Sequence, residues 1–188
     1  MCYGPSASWY PLPVIESTLN SLIRDVPDFP EPGVLFKDIT PVLGDPDALI
    51  GVVEALVAPY RDLGITKVAG IESRGFILAT PVATALGAGF VPLRKPGKLP
   101  YDVMREEYSL EYGTDALEMH VDAVDENDRV LVVDDVIATG GTAAAAVKLL
   151  ARPGAEIMGM VVMVELAFLN GRSMLDGLPL RALVTYGD

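Results

Sequence analysis

At 188 residues, 51% hydrophobic and 21% charged, the chain has the length and composition of one folded domain with a sizeable core. Its 26 acidic against 14 basic residues give a net charge of −12, which repels phosphate backbones and argues against nucleic-acid binding. One cysteine, Cys2, and one histidine, His120, exclude an internal disulfide and any cysteine- or histidine-based metal cluster. No signal-like start is evident, and the apolar run 157–164 is too short to cross a bilayer, so a cytoplasmic protein without membrane attachment is expected.

Residues 1–13 hold three prolines without periodicity and read as an extended arm. Val14, Ile15, Leu19, Leu22 and Ile23 recur at helical spacing. Residues 25–33, broken by Pro27, Pro30 and Pro32, read as a turn region without regular structure. An apolar patch with one cation, Lys37, follows over 34–41, and by composition alone its Leu35 and Phe36 read as core. Asp45-Pro46 reads as a cap with proline at the first helical position, opening a helix to about residue 60.

Residues 67–71 read as a strand, and a helix is predicted over 77–86, with the tight loop Glu72-Ser73-Arg74-Gly75-Phe76 between them. Such a corner presents free N–H groups to an anion, although taken alone it reads as a plain turn with a surface arginine. A third strand is predicted over 90–93. The glycines at 87 and 89 open a dinucleotide-like pattern, but Pro92 stands where its third glycine belongs, so it is rejected. Arg94, Lys95 and Lys98 place three of fourteen cations within five residues of an acidic chain. That concentration points to an anion, with a solvated loop as the competing reading. Residues 99–107 are polar and patternless, as in a flap, and 116–120 read as a strand.

The most informative stretch is 130–142. Val130 to Val133 read as a strand buried on both faces, at whose end stand Asp134 and Asp135. The loop Ala138-Thr139-Gly140-Gly141-Thr142 then opens an alanine-rich helix to about residue 151. Loop amides, two threonine hydroxyls and a helix N-terminus can hold a phosphate, while the acids can accept from ribose hydroxyls or face a hydrated Mg²⁺. The acid pair alone is equally ordinary turn and capping chemistry. Strands over 156–165 and 180–184 complete a doubly wound α/β pattern with a mostly parallel sheet.

The order Val130 to Thr142 resembles the 5-phosphoribosyl-1-pyrophosphate (PRPP) motif of type I phosphoribosyltransferases, and its A-T-G-G-T form resembles the adenine phosphoribosyltransferase family. Four further stretches are similar to that family in the same order: P-D-F-P-x-P-G-V-x-F-K-D-I-T-P, E-S-R-G-F, R-K-x-G-K-L-P and Y-x-L-E-Y-G. Val164 to Arg172, V-E-L-A-F-L-N-G-R, resembles its C-terminal portion, without a role attached. The resemblance implies the type I fold as a single domain over 1–188, with a small hood at 25–43 and a flexible catalytic loop at 95–113. The implied reaction is purine salvage: adenine and PRPP give AMP and pyrophosphate with Mg²⁺.

Residue by residue, the resemblance assigns the 5′-phosphate to Ala138, Thr139, Gly140, Gly141 and Thr142. Pyrophosphate falls to Ser73, Arg74, Gly75, Arg94, Lys95 and Lys98, and adenine to Leu35, Phe36 and Lys37. Asp134 and Asp135 take the ribose and, through water, the metal, which has no direct protein ligand. Glu111 exchanges a proton with the base. A cis peptide between Glu72 and Ser73 and a homodimer, with Arg94 reaching across it, are also implied. Alternatives are a relative acting on hypoxanthine, guanine or xanthine, and a PRPP-sensing regulator, which the acidic charge disfavours. A serine hydrolase fails because 70–75 has one residue too many before Ser73.

Overall fold

The computed structural model describes residues 12–109 and 113–187. The expected arm at 1–13 therefore falls almost wholly outside the described residues, and Glu111 does so entirely. The chain divides into two compact units, Met1–Ala55 and Leu56–Asp188.

In the first unit, helix α1 (Leu12–Leu22) buries Ile15 and Leu19, four residues apart on one face. The proline-rich segment is more regular than its composition predicts. Strand β1 (Arg24–Pro27) pairs antiparallel with β2 (Leu35–Asp38), Val26 opposite Phe36. Each strand of a two-stranded ribbon is an edge, and Pro27 ends its strand, so the missing N–H is tolerated. The intervening turn contains a cis Phe29–Pro30 bond, and Gly33 N donates to Asp28 Oδ1 at 2.8 Å. Helix α2 (Thr40–Gly44) follows. Asp45 Oδ1 then accepts from Asp47 N and Ala48 N, at 3.0 and 2.9 Å, as the cap predicted for α3 (Pro46–Val57).

The second unit is built on a five-stranded parallel sheet. Strand β3 (Lys67–Ile71) runs through α4 (Gly75–Leu86) to β4 (Gly89–Leu93), which pairs on one side of it. Next comes a hairpin of β5 (Val103–Ser109) and β6 (Thr114–His120). Strand β7 (Arg129–Ile137) then leads through α5 (Gly141–Ala151) to β8 (Glu156–Leu166), with β9 (Leu180–Tyr186) beyond. The order is β4-β3-β7-β8-β9, so the chain winds outward in opposite directions from β3 and β7. Between their carboxyl ends lies the switch point where such sheets bind ligands.

Val130 to Val133 and Met160 to Val164 are almost fully buried, which explains their unbroken apolar runs. On α5, Ala143 to Ala146, Leu149 and Leu150 are buried, and the hairpin packs against this helix. At its end Arg152 Nη1 donates to Arg105 O at 2.6 Å and Arg152 pairs with Glu106.

Two expectations are corrected. The flap expected to be patternless carries a strand over 103–109, recruited by pairing with β6 rather than by its own polar sequence. Strand β7 does not stop at Val133. It continues to Ile137 because β8 keeps pairing, Asp134 with Val162 and Ile137 with Glu165. Both aspartates therefore ride on the sheet and not on the loop.

Candidate active site

Two strand-to-helix corners flank the switch point. At the first, Glu72 follows the end of β3 at Ile71, a cis peptide joins Glu72 to Ser73, and Arg74 precedes the first turn of α4. Gly75 packs so closely on β7 that a Cβ there would stand 2.7 Å from Asp134 Oδ1 and 3.0 Å from Val133 O. This close approach brings Arg74 to the acid pair, with its Nε 2.7 Å from Asp135 Oδ2. Asp135 is 4% exposed and this oxygen has no aligned hydrogen-bond donor, so the contact is an ion pair without directional bonding.

Asp134 Oδ1 accepts from Asp135 N at 2.9 Å. Although the residue keeps some exposure, its carboxyl group lies in a desolvated setting. Burial first, and repulsion from Asp135 second, push it well above the usual carboxylate range, against a smaller opposing pull from Arg74.

Glu72 is the hub of the first corner. Its side chain pairs with Lys98, accepts from Lys95 N at 2.9 Å, and accepts from Arg94 Nε at 3.3 Å. Burial alone would raise this carboxyl, but the three hydrogen bonds together hold it below the ordinary value. Lys95 Nζ lies 2.5 Å from Tyr108 Oη on β5 and pairs with Asp115 on β6. Burial would lower the Lys95 ammonium, yet Asp115 and Tyr108 outweigh it and raise it. Hydrogen bonding from Lys95 in turn lowers the Asp115 carboxyl, against burial. The cations predicted to hold pyrophosphate thus converge on carboxylates.

At the second corner, β7 ends at Ile137, and Gly140 occupies the N-cap of α5 at φ +82°, a conformation open to glycine. Ala144 N donates to Gly140 O at 2.9 Å, closing the first turn. The amides of 138–142 thus gather at the amino end of an eleven-residue helix, where the backbone dipole favours an anion. Asp134, Asp135, Arg74 and this loop all stand at the carboxyl edge of adjacent strands.

The candidates Leu35, Phe36 and Lys37 lie on β2 in the first unit. Phe36 meets Phe29 edge to face at 5.1 Å, Leu35 is half exposed, and Lys37 Nζ donates to Asp25 Oδ1 at 2.6 Å. Glu111 lies outside the described residues. Sequence reasoning gave no role to Glu72 itself or to Asp115 and Tyr108. Their cationic partners are 13 to 26 residues away, so only the sheet and hairpin register could reveal them. Among the described residues no group of three metal-ligating side chains occurs, and no helix is long and apolar enough to cross a membrane.

Residues 45–173 match the family model of the phosphoribosyl transferase domain. An adenine phosphoribosyltransferase of Anaeromyxobacter dehalogenans is 57% identical over 168 residues, covering 89% of this chain and 98% of that one. Adenine phosphoribosyltransferase 4 of Arabidopsis thaliana is 56% identical, covering 89% and 92%. The crystal structure of the Rhodothermus marinus adenine phosphoribosyltransferase superposes with a TM-score of 0.89 at 54% identity, covering 93% of this chain and 99% of that one. The Saccharomyces cerevisiae enzyme, solved with D-2,5-dideoxy-2,5-imino-altritol 1,6-bisphosphate and adenine, superposes at 0.85 with 38% identity, covering 90% and 98%.

Proposed function

The chain belongs to the adenine phosphoribosyltransferase family, and from that premise we propose how its own residues carry the reaction. It transfers the 5-phosphoribosyl group of PRPP to adenine, giving AMP and pyrophosphate in purine salvage. The observation that carries the assignment of roles is the convergence, at one switch point, of an acid pair, an arginine-bearing corner and a glycine-rich phosphate corner.

As pyrophosphate leaves the anomeric carbon, positive charge builds on the ribose and negative charge on the departing group. Asp134 and Asp135 hold the ribose hydroxyls and favour the cationic sugar. Arg74, with Ser73 and Gly75, receives the pyrophosphate, joined by Arg94, Lys95 and Lys98 as these leave their carboxylate partners. Ala138, Thr139, Gly140, Gly141 and Thr142 anchor the 5′-phosphate, a remote handle whose binding energy orients the reacting carbon. Adenine is assigned to Leu35, Phe36 and Lys37 on family resemblance and on the aromatic character of Phe36.

The acid pair fits a hydrated Mg²⁺ by the chemistry of its donors: two adjacent carboxylates, Asp134 desolvated and Asp135 buried beside Arg74, would accept from the waters that such a cation keeps. When bound, the ion supplies charge neutralisation to the pyrophosphate. Glu111 exchanges a proton with the base, accepting the one that adenine loses as its ring nitrogen bonds to the anomeric carbon. Its change to Gln should lower kcat on the order of 10²-fold while leaving the KM for PRPP nearly unchanged, and an unaltered rate removes it from the chemistry. A cytoplasmic homodimer is proposed on family grounds, and a monomer in sedimentation equilibrium would exclude it.

The deciding experiment supplies adenine, PRPP and Mg²⁺ and follows AMP. Competing hypoxanthine, guanine and xanthine should react far more slowly, and a preference for any of them would replace the adenine assignment.

A further inference from the structure

The C-terminal stretch 164–172 has no role in the reaction as described, yet its backbone packs directly on the phosphate corner. A Cβ on Gly171 would overlap Ala138 O and stand 2.9 Å from Gly140 N. Reciprocally, a Cβ on Gly140 would overlap Gly171 O and stand 2.9 Å from its carbonyl carbon and 3.0 Å from its Cα. Two glycines from segments thirty residues apart thus meet backbone to backbone, with no room for a methyl on either. Both are buried.

The turn that delivers Gly171 is itself fixed. Asn170 adopts φ +53°, an uncommon left-handed conformation for a residue with a side chain, and Gly171–Leu175 forms a short 3-10 turn. Arg172 grips Glu165 with two parallel bonds, Nε to Oε1 at 3.0 Å and Nη2 to Oε2 at 2.5 Å, and donates Nη1 to Leu180 O at 2.7 Å. Glu165 is 6% exposed and lies on β8 directly opposite Ile137, the last residue before the phosphate loop. Leu175 seats the end of the turn in the core cluster shared with α5.

We infer that Gly171, held in place by the Arg172–Glu165 pair, is a positioning residue that backs the loop 138–140 and sets the direction of its amides for the 5′-phosphate. The physical reason is steric. A loop whose donors must point at one phosphate needs a rigid support behind it, since amides free to rotate would lose much of their directed bonding. Backbone packed on backbone gives that support at a distance no side chain allows. The inference rests on the reading of 138–142 as a phosphate site.

Calorimetric titration of ribose 5-phosphate and, separately, of pyrophosphate with Mg²⁺ tests it on the full chain. In Gly171→Ala, ribose 5-phosphate affinity should fall at least about tenfold while pyrophosphate affinity stays within about twofold, since only the first ligand uses the displaced loop. Arg172→Lys keeps the charge opposite Glu165 but loses the fork and the bond to Leu180 O. It should give the same asymmetry at roughly threefold, and as Arg172 is half exposed it serves if Gly171→Ala does not fold. Unchanged ribose 5-phosphate binding in a folded Gly171→Ala overturns the inference, as does an equal loss of both ligands. If that variant does not fold, either result in Arg172→Lys overturns it. A wild-type chain that does not take ribose 5-phosphate overturns the reading of the loop itself.

Discussion

In the roles proposed above, the two corners that flank the switch point share one task, holding an anion, and they are built on opposite principles. The β3–α4 corner works with side-chain charge: Glu72, Arg74, Arg94 and Lys98 are exchangeable partners with polar or exposed surroundings. The β7–α5 corner works with shape: its loop carries no ionised group, and glycine against glycine fixes where its amides point. A leaving group that must be gripped and then released suits the first design. A phosphate that stays on the product suits the second. On the proposed roles, the difference teaches that charge serves where binding is transient and steric exclusion where it persists.

The comparison breaks if charge on the acid pair proves unnecessary. Replacing both acids, Asp134→Asn with Asp135→Asn, should lower kcat/KM for PRPP by about 10²–10³-fold, the largest effect anticipated, and a fully active double variant contradicts the ribose assignment. Arg74→Lys comes next. It keeps the charge but loses the planar fork, and should cost roughly tenfold in kcat/KM for PRPP while sparing ribose 5-phosphate binding. Equal loss of both ligands would erase the distinction between the corners.

The smallest effect concerns stability against pH in the metal-free protein, where the corners differ in sign. Glu72 is depressed, so the stability it contributes is present above the ordinary carboxylate value and is lost as pH falls through its lower folded value. Asp134 is raised, so its contribution is full below the ordinary value and is lost as pH rises through the elevated one. Urea unfolding from pH 3 to pH 8 should therefore show Glu72→Gln losing the acid-side decline and Asp134→Asn gaining at neutral pH. Parallel profiles for the two variants would show that the corners do not differ electrostatically.

Much of this was legible in the residues. The apolar run at 130–133 announced a buried parallel strand, 67–71 read as a second strand, and Asp45-Pro46 and Gly140-Gly141 marked helix starts, because each signal is local. What escaped was non-local. The strand at 103–109 exists through its partner, β7 outlasts its apolar run because β8 does, and β1 forms despite Pro27 because a ribbon edge tolerates it. Glu72 and Gly171 were invisible as contacts for the same reason. A glutamate before S-R-G, or a glycine in L-N-G-R, says nothing of a lysine 26 residues on or a carbonyl 33 residues back.

That Asp134 and Asp135 belong to a hydrogen-bonded ladder has a consequence for which sugars the site can accept. Groups carried on a loop can swing aside when a ligand lacks a matching hydroxyl, but strand-borne carboxylates have no such retreat. With the two acids holding the ribose, a deoxy analogue of PRPP would strand a desolvated oxygen with nothing to bond, so discrimination against it arises from the rigidity of the sheet and not from any added contact.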